Sequence, residues 1–179
     1  GDFDRSIENP QWDSSGTSIW FQYEDRGTYR IASSNLKGKL AESDLRLGGT
    51  TLGRPYASGS FDIGANGVIA FTAGDTQSPA DLMTSRRGEQ PRQLTQLNKD
   101  LLAHKTLANV QEITWESSFD GQEIQGWLMT PPGFDAQQRY PLILEIHGGP
   151  HAAYGPNFSA EAQLFAAQGY VVLYTNPRG

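Results

Sequence analysis

Residues 1–97 alternate short apolar or aromatic runs with clusters of Gly, Asp, Ser and Asn, the texture of β-strands separated by tight turns. Strands are predicted over 18–23 and 28–33, flanking a hairpin turn at Glu24-Asp-Arg-Gly27, and again over 68–72 and 80–85. The second pair repeats the first at a spacing of roughly 50 residues, within the range of a propeller blade. Phe21 pairs with Phe71, Ile31 with Leu82, and Gly38 with Gly88. Trp12-Asp-Ser-Ser-Gly16 ahead of one unit has a counterpart in Phe61-Asp-Ile-Gly64-Ala-Asn-Gly67 ahead of the other. Two propeller blades are therefore expected, with a β-sandwich or barrel as the alternative that gives the same alternation without a true repeat. Two blades do not close a ring of about 4 to 8, so further blades are expected outside these residues.

After Gln93-Leu-Thr95 the pattern changes. Residues 98–110 read as a linker containing a short helix or irregular turn, with Asn98 as its N-cap and Leu101 and Leu102 on one side. His104 stands alone there and reads as a solvated or packed residue rather than a ligand. Segments 111–116 and 123–129 make a hairpin around Asp120-Gly121. Leu142, Ile143, Leu144 and Ile146 form a nearly continuous apolar run, the pattern of a strand covered on both faces. A helix follows over 160–169, with Leu164 and Phe165 as its apolar residues and Gly169 at its end. A second buried-type strand covers 170–174. Strand, loop, helix and strand predict a βαβ unit with its two strands parallel, and such sheets bind ligands beyond the carboxyl ends of their strands. The expected fold class is thus mixed: all-β propeller blades over 1–97, a linker over 98–110, and the N-terminal part of an α/β-hydrolase domain over 111–179.

Charge and composition narrow the function classes. Fourteen basic against twenty acidic residues give a formal net charge of -6, which argues against nucleic acid as a partner and leaves small molecules or peptides as ligands. The absence of cysteine removes disulfides, thiolate zinc sites and cysteine nucleophiles. No run approaches the roughly 18 apolar residues of a membrane span, and the first residues lack a signal-peptide pattern. A soluble chain with no membrane partner is expected, the cytoplasm being favoured over other compartments. Gly1-Asp-Phe-Asp-Arg5 does not resemble a natural start and Asn176-Pro-Arg-Gly179 directly follows a predicted strand, so a fragment is expected.

The candidate chemistry lies at His147-Gly-Gly-Pro-His151, where the apolar strand ends in a loop whose backbone N–H groups can hold an anion. Gly149 is the first choice for an oxyanion donor, with His147, Gly148 and Pro150 shaping the loop. Gly148 and Gly149 are expected to take backbone angles or close approaches that a side chain forbids, and the His147 ring to bond neighbouring backbone rather than act as a base. The alternative is a tight strand-to-loop exit with no ligand. A metal site from His147 and His151 is not expected, because their spacing needs a helix that Gly-Gly-Pro breaks. No G-x-S-x-G pentapeptide occurs, so no nucleophile or triad member is assigned. Ser159 reads as a turn or cap residue, and Arg178 as a loop-pinning arginine ahead of a substrate contact.

Arg139-Tyr-Pro-Leu-Ile-Leu-Glu-Ile-His-Gly-Gly-Pro-His151, followed by Gly169-Tyr-Val-Val-Leu and Asn176-Pro-Arg-Gly179, resembles the prolyl oligopeptidase family of serine peptidases, in its acylaminoacyl-peptidase and dipeptidyl-peptidase-like branch. Asp120-Gly121, Ile124-Gln-Gly-Trp127 and Gln93-Leu-Thr95 fit the same pattern. The resemblance implies a propeller filtering access to a hydrolase domain that cleaves short peptides or N-acyl peptides through a Ser-Asp-His acyl-enzyme mechanism. It places Gly149 at the oxyanion-hole position and the triad beyond Gly179. The implied partners are a peptide substrate and the remainder of the same polypeptide, with no cofactor and no metal. Two alternatives remain: an esterase or lipase of the α/β-hydrolase type, and a propeller-based binding module whose hydrolase domain is inactive.

Overall fold

The computed structural model describes residues 3–86, 88–149 and 151–177. The fold is mostly β, with two short helices among the described residues. Four antiparallel strands, β1 (Glu8–Trp12), β2 (Ser18–Asp25), β3 (Thr28–Asn35) and β4 (Leu40–Leu47), form a first sheet in sequential order. β5 (Phe61–Ile63), β6 (Val68–Ala73), β7 (Asp81–Arg86) and β8 (Arg92–Gln93) form a second sheet of the same connectivity. The predicted repeat holds in the pairing of the two middle strands of each sheet, while Trp12 opposite Ile19 and Phe61 opposite Phe71 are not equivalent. Phe21 lies opposite Ala32 and Gln22 opposite Ile31, while Phe71 lies opposite Met83 and Thr72 opposite Leu82. The turns before β2 and β6 also match: Gly16 N–H donates to the Asp13 carbonyl, and Gly67 N–H to the Gly64 carbonyl. Both glycines sit at positive φ.

The two sheets stack with repeated polarity. Phe61, Ile69 and Phe71 of the second sheet pack against Ile31 and Leu47 of the first. Phe21, equivalent to Phe71, is on the opposite face of the first sheet, with Tyr23, Ala32 and Phe3. Ile31 is fully buried, whereas its counterpart Leu82 is 40% exposed. Head-to-tail stacking explains the difference: each sheet offers its Phe face to the sheet before it and its Ile31/Leu82 face to the one after, and among the described residues nothing follows the second sheet on that side.

Helix α1 (Lys99–Leu102) is a single turn with Asn98 at its N-cap position, although the Asn98 side chain makes no cap hydrogen bond. Leu101 is exposed rather than packed, and so is His104. A third sheet then forms in the order β11-β12-β10-β9, from β9 (Asn109–Glu116), β10 (Glu123–Thr130), β11 (Leu142–Ile146) and β12 (Val171–Asn176). β9, β10 and β12 pair antiparallel, and β11 pairs parallel to β12. Between the parallel strands lies helix α2 (Ala160–Ala167). Ser159 caps it by accepting from Ala162 N–H. At its other end Gly169 sits at φ 87°, with Gly169 N–H on the Ala166 carbonyl and Tyr170 N–H on that of Phe165, the Schellman pattern.

Two expectations about this region are corrected. The apolar run of β11 is covered on one face only. Ile143 packs with Met129, Val172, Ala162 and Ala166 beneath α2, but Leu142, Leu144 and Ile146 are 58%, 52% and 62% exposed. β11 is an edge strand here and α2 covers one side of the sheet, so the sequence pattern of a doubly buried strand describes surroundings that the described residues do not supply. Leu164 likewise points outward, at 69% exposure, and α2 buries Ala162, Gln163 and Ala166 instead.

The blade-like sheets and the third sheet meet through backbone. The β2–β3 turn, Arg26 and Gly27 at φ 51° and 78°, is of the two-residue type that favours glycine in its second position. Its tip presses on the segment after β11: a Cβ on Gly27 would fall inside the contact distance of the Tyr154 carbonyl, and one on Gly155 inside that of the Gly27 carbonyl. Gly27→Ala is expected to destabilise the fold by about 3 kcal/mol, combining left-handed strain with overpacking. Gly38→Ala, at a similar φ but facing open space, is expected to cost about 1 kcal/mol. Urea unfolding of both variants checks the difference, and equal losses would show that the contact carries none of it.

Candidate functional site

The parallel strands β11 and β12 end at the same edge of their sheet, and the loop beginning at His147 leaves from that edge. Gly148 and Gly149 are exposed, and neither has a positive φ. A Cβ on either would meet no atom within 4 Å. The expectation that these glycines serve unusual backbone angles is therefore corrected: within the described residues neither conformation nor crowding requires glycine, and the space the missing side chains leave lies on the open side of the loop. Pro150, expected to fix the exit, and Arg178 lie outside the described residues. His151 follows at φ 62°, a left-handed conformation that is strained for a residue with a side chain.

His147 is turned back onto its own loop. Its Nδ1 lies 2.7 Å from the Gly148 carbonyl oxygen. A carbonyl only accepts, so Nδ1 carries the proton and donates. The ring is packed edge-on against Tyr154, with centroids 4.9 Å apart, and against Tyr56 at 6.4 Å. Tyr154 is fully buried and also contacts Tyr174 and Tyr56 at 5.7 and 4.9 Å. Its hydroxyl donates to Glu145 Oε1 at 3.2 Å. Burial, followed by the Glu145 charge, pushes the Tyr154 phenol well above its ordinary range, so it remains a neutral donor.

Two amides fix the backbone around Tyr154. Asn176, at the end of β12, accepts from Tyr154 N–H at 2.7 Å and donates to the Tyr154 carbonyl at 2.9 Å. Asn157 accepts from Gly49 N–H at 2.9 Å and donates to the Tyr56 carbonyl at 3.0 Å. Gly49 and Tyr56 belong to the loop 48–60, which joins the two blade-like sheets and was invisible as a site element in the sequence. Both of its ends return to Thr72 of β6, through Gly48 N–H to the Thr72 carbonyl and Thr72 N–H to the Ser60 carbonyl. Its middle lies along 153–161. Ala57 N–H donates to Ala153, Gly155 N–H to Pro55 and Ala160 N–H to Leu52, all between 2.8 and 2.9 Å. Ser159 Oγ donates to the Gly53 carbonyl as well as capping α2, in keeping with its expected cap role. Arg54 completes the seam between Glu145 at 3.1 Å and Glu161 at 3.3 Å. The one sequence signal for this loop was a density of glycines, at Gly48, Gly49, Gly53 and Gly59, without strand periodicity.

No group of three His, Asp or Glu side chains suited to a metal ion occurs among the described residues. None of their helices is long and apolar enough to cross a membrane.

No family model matches the chain. A Bacillus subtilis (strain 168) protein, Uncharacterized peptidase YuxL, is 42% identical over 101 residues, covering 56% of this chain and 15% of that protein. A Probable dipeptidyl-peptidase 5 from Arthroderma benhamiae is 30% identical over 188 residues, covering 99% of this chain and 24% of that protein. The chain is homologous to peptidases of the prolyl oligopeptidase family. Among solved structures, an acylaminoacyl peptidase in complex with Z-Gly-Gly-Phe-chloromethyl ketone superposes with a TM-score of 0.79 at 25% identity, over 99% of this chain and 26% of that one. The mostly β fold matches the propeller-like part of such a peptidase. The chain spans about a quarter of the length of the relatives it matches end to end.

Two stability outcomes follow from the site geometry. Asn157→Ala removes both partners of two backbone groups in the seam and is expected to cost about 2–3 kcal/mol. His151→Gly relieves the left-handed strain and is expected to stabilise by about 1 kcal/mol. Denaturant midpoints should therefore move in opposite directions, and a shift of the same sign for both would contradict this reading of the loop.

Proposed function

We propose that the chain is a segment of a serine-type peptidase that hydrolyses short peptides or N-acyl peptides through an acyl-enzyme. In this reading residues 1–97 are blades of the propeller that filters access, 98–110 the linker, and 111–179 the opening part of an α/β-hydrolase domain. The nucleophile and the rest of the triad lie in sequence outside these residues. Gly149 supplies a backbone N–H to the oxyanion, while His147, Gly148 and Pro150 shape its loop.

The observation that carries the reading is the form of the His147–Gly149 loop. It stands at the carboxyl edge of a parallel strand pair, where ligands of such sheets bind. Its glycines are exposed and required by nothing behind them, as expected of a loop whose front must admit a substrate carbonyl. The relatives support the chemistry: they carry the names peptidase and dipeptidyl-peptidase, and a structural neighbour holds a peptide chloromethyl ketone. The edge of β11 that is unpaired among the described residues and its exposed Leu142, Leu144 and Ile146 support a sheet that continues into further strands, since large apolar patches rarely face water.

When a serine attacks a carbonyl, negative charge moves onto the carbonyl oxygen. A fixed N–H aimed at that position stabilises the transition state more than the ground state. With no nucleophile assigned to it, residues 1–179 alone are expected to give no turnover of a fluorogenic acyl-peptide substrate. In a polypeptide that includes the downstream sequence, Gly149→Pro removes the N–H and is expected to lower kcat by about 10²–10³-fold with a much smaller change in KM. Gly149→Ala keeps the N–H and serves as the folding control. Undiminished kcat in Gly149→Pro would remove Gly149 from the mechanism, and absence of turnover in the longer wild-type polypeptide would favour an inactive binding module.

A further inference from the structure

The two blade-like sheets do not close on each other along their whole length. Beyond the apolar contact of Ile31 and Leu47 with Phe61, Ile69 and Phe71, a cavity of about 420 Å³ opens between them, within the roughly 300–1,000 Å³ of small-molecule sites. One wall is the row Trp20, Ser33 and Ala41, paired directly across β2, β3 and β4. The facing wall is Ile69 with its partner Ser85. A bulge in β4 shapes the opening. Ala32 lies opposite Glu42 and Arg30 opposite Arg46, so Ser43, Asp44 and Leu45 stand against Ile31 alone, and extra residues of this kind bend their strand out of the regular pleat.

Three hydroxyls in this cavity have hydrogen-bonding capacity that the fold does not use. Ser33 is 7% exposed, and its hydroxyl makes no hydrogen bond among the described residues, although buried hydroxyls ordinarily find a partner. Ser43 Oγ accepts from Leu45 N–H at 3.0 Å and keeps its proton. Ser85 is also buried; it has one proton for the carbonyls of Arg86 and Glu89, at 3.1 and 3.0 Å, and keeps its lone pairs. Trp20, Leu45 and Ile69 supply the apolar lining. No charged side chain of the described residues is buried with them. Asp44, Arg86 and Glu89 stand exposed at the rim. Glu42 acts on the opposite face of the sheet, where burial and then its charge push up the Tyr23 phenol.

We propose that the cavity between the blade-like sheets is a binding site for a neutral polyhydroxylated ring, a saccharide unit. A charged ligand would lose its hydration there without a buried counter-charge. A wholly apolar one would leave the Ser33 hydroxyl unpaired. A sugar ring carries hydroxyls that both donate and accept, matching Ser33, Ser43 and Ser85, and a weakly positive C–H face that rests on the negative face of an indole. The cavity lies toward the ends of β2 and β3 remote from the Arg26-Gly27 turn, which contacts Tyr154. Binding there is separate from the His147 loop and does not rest on the oxyanion reading of Gly149.

The test is a titration of the 179-residue chain, followed through the amide chemical shifts of Ser33, Leu45, Ile69 and Ser85. Glucose, maltose and cellobiose are the neutral probes, while glucuronate and protonated glucosamine carry a charge on the same ring. Saturable shifts at those amides are expected with at least one neutral probe, and binding of the charged sugars about tenfold weaker or more. Disaccharide binding as tight as that of glucose identifies a saccharide chain as the source, and binding of glucose alone a free monosaccharide. Ser33→Ala and Trp20→Leu are each expected to weaken binding about tenfold or more. Trp20→Leu also loosens the packing between the sheets, so Ser33→Ala decides. It removes a hydroxyl that the fold leaves unpartnered, and its urea midpoint is expected to equal or exceed that of the wild type. No saturable shift with any neutral probe, undiminished affinity in Ser33→Ala, or equal binding of the charged sugars overturns the proposal. So does a response at these amides to an uncharged N-acetyl-triglycine amide and not to the saccharides, which would make the cavity a peptide site.

Discussion

The arrangement depends on a backbone-to-backbone seam between residues 48–60 and 153–161. Seams of this kind are unusual outside regular sheets, because each exposed amide must find a partner across an irregular surface or pay for its desolvation. Here partners come from main chain and from a few short side chains. Asn157, Ser159 and Asn176 each make more than one hydrogen bond to main chain at or beside the seam. Glycine permits the approach. Gly27 and Gly155 bring two main chains closer than any side chain allows, and the Tyr56–Tyr154 bridge continues the contact toward the loop that leaves β11.

This seam makes the third sheet and the blade-like sheets parts of one packing problem. Trp127 and Tyr174 stack at 5.5 Å on the inner face of the third sheet, and Tyr154 closes over them. The β2–β3 turn then lies against Tyr154 and Trp127, so the first sheet covers an aromatic cluster of the third. Exposed ion pairs such as Arg26–Glu123 add little to this, since surface pairs contribute about 0–1 kcal/mol. Burial and satisfied backbone groups do the holding, and they act across sequence separations of about a hundred residues. Contacts so distant give a high contact order and slow formation, which places assembly of the His147 loop late relative to the local hairpins.

The local hairpins were also what the sequence expressed most clearly. Asp13-Ser-Ser-Gly16, Gly64-Ala-Asn-Gly67 and Asp120-Gly121 all turn where their residue types require, because positive φ and side-chain-to-backbone bonding are decided within a few residues. The pairing of Ile31 with Leu82 was legible as register, yet their burial was not, because burial depends on which sheet comes next. The doubly buried reading of β11 failed for the same reason: an apolar alternation records the surroundings a strand is made for, and Leu144 has those surroundings on one side only. The loop 48–60 carries no period, and its partners lie about a hundred residues away, so single-sequence patterns held no signal for its role. The resemblance to known peptidases reached the family, but it held no signal for Tyr56, which meets His147 from the loop between the blade-like sheets.

The character of the His147 loop follows from comparing its glycines with those of the seam. Gly27 and Gly155 are glycines because something stands where a side chain would be. Gly148 and Gly149 have ordinary backbone angles and open space before them, so their lack of side chains has no internal cause. An exposed glycine pair costs backbone entropy on folding relative to alanine, about 0.5–1 kcal/mol at each position in regular structure and somewhat less in a loop. At the same place His147 Nε2 has no hydrogen-bond partner among the described residues and His151 accepts a strained conformation. Local stability is thus forgone at several adjacent residues, while the peptide between Gly148 and Gly149 is held in one orientation. Under the proposed oxyanion reading these features have one cause, a backbone group kept fixed and uncovered for a substrate carbonyl.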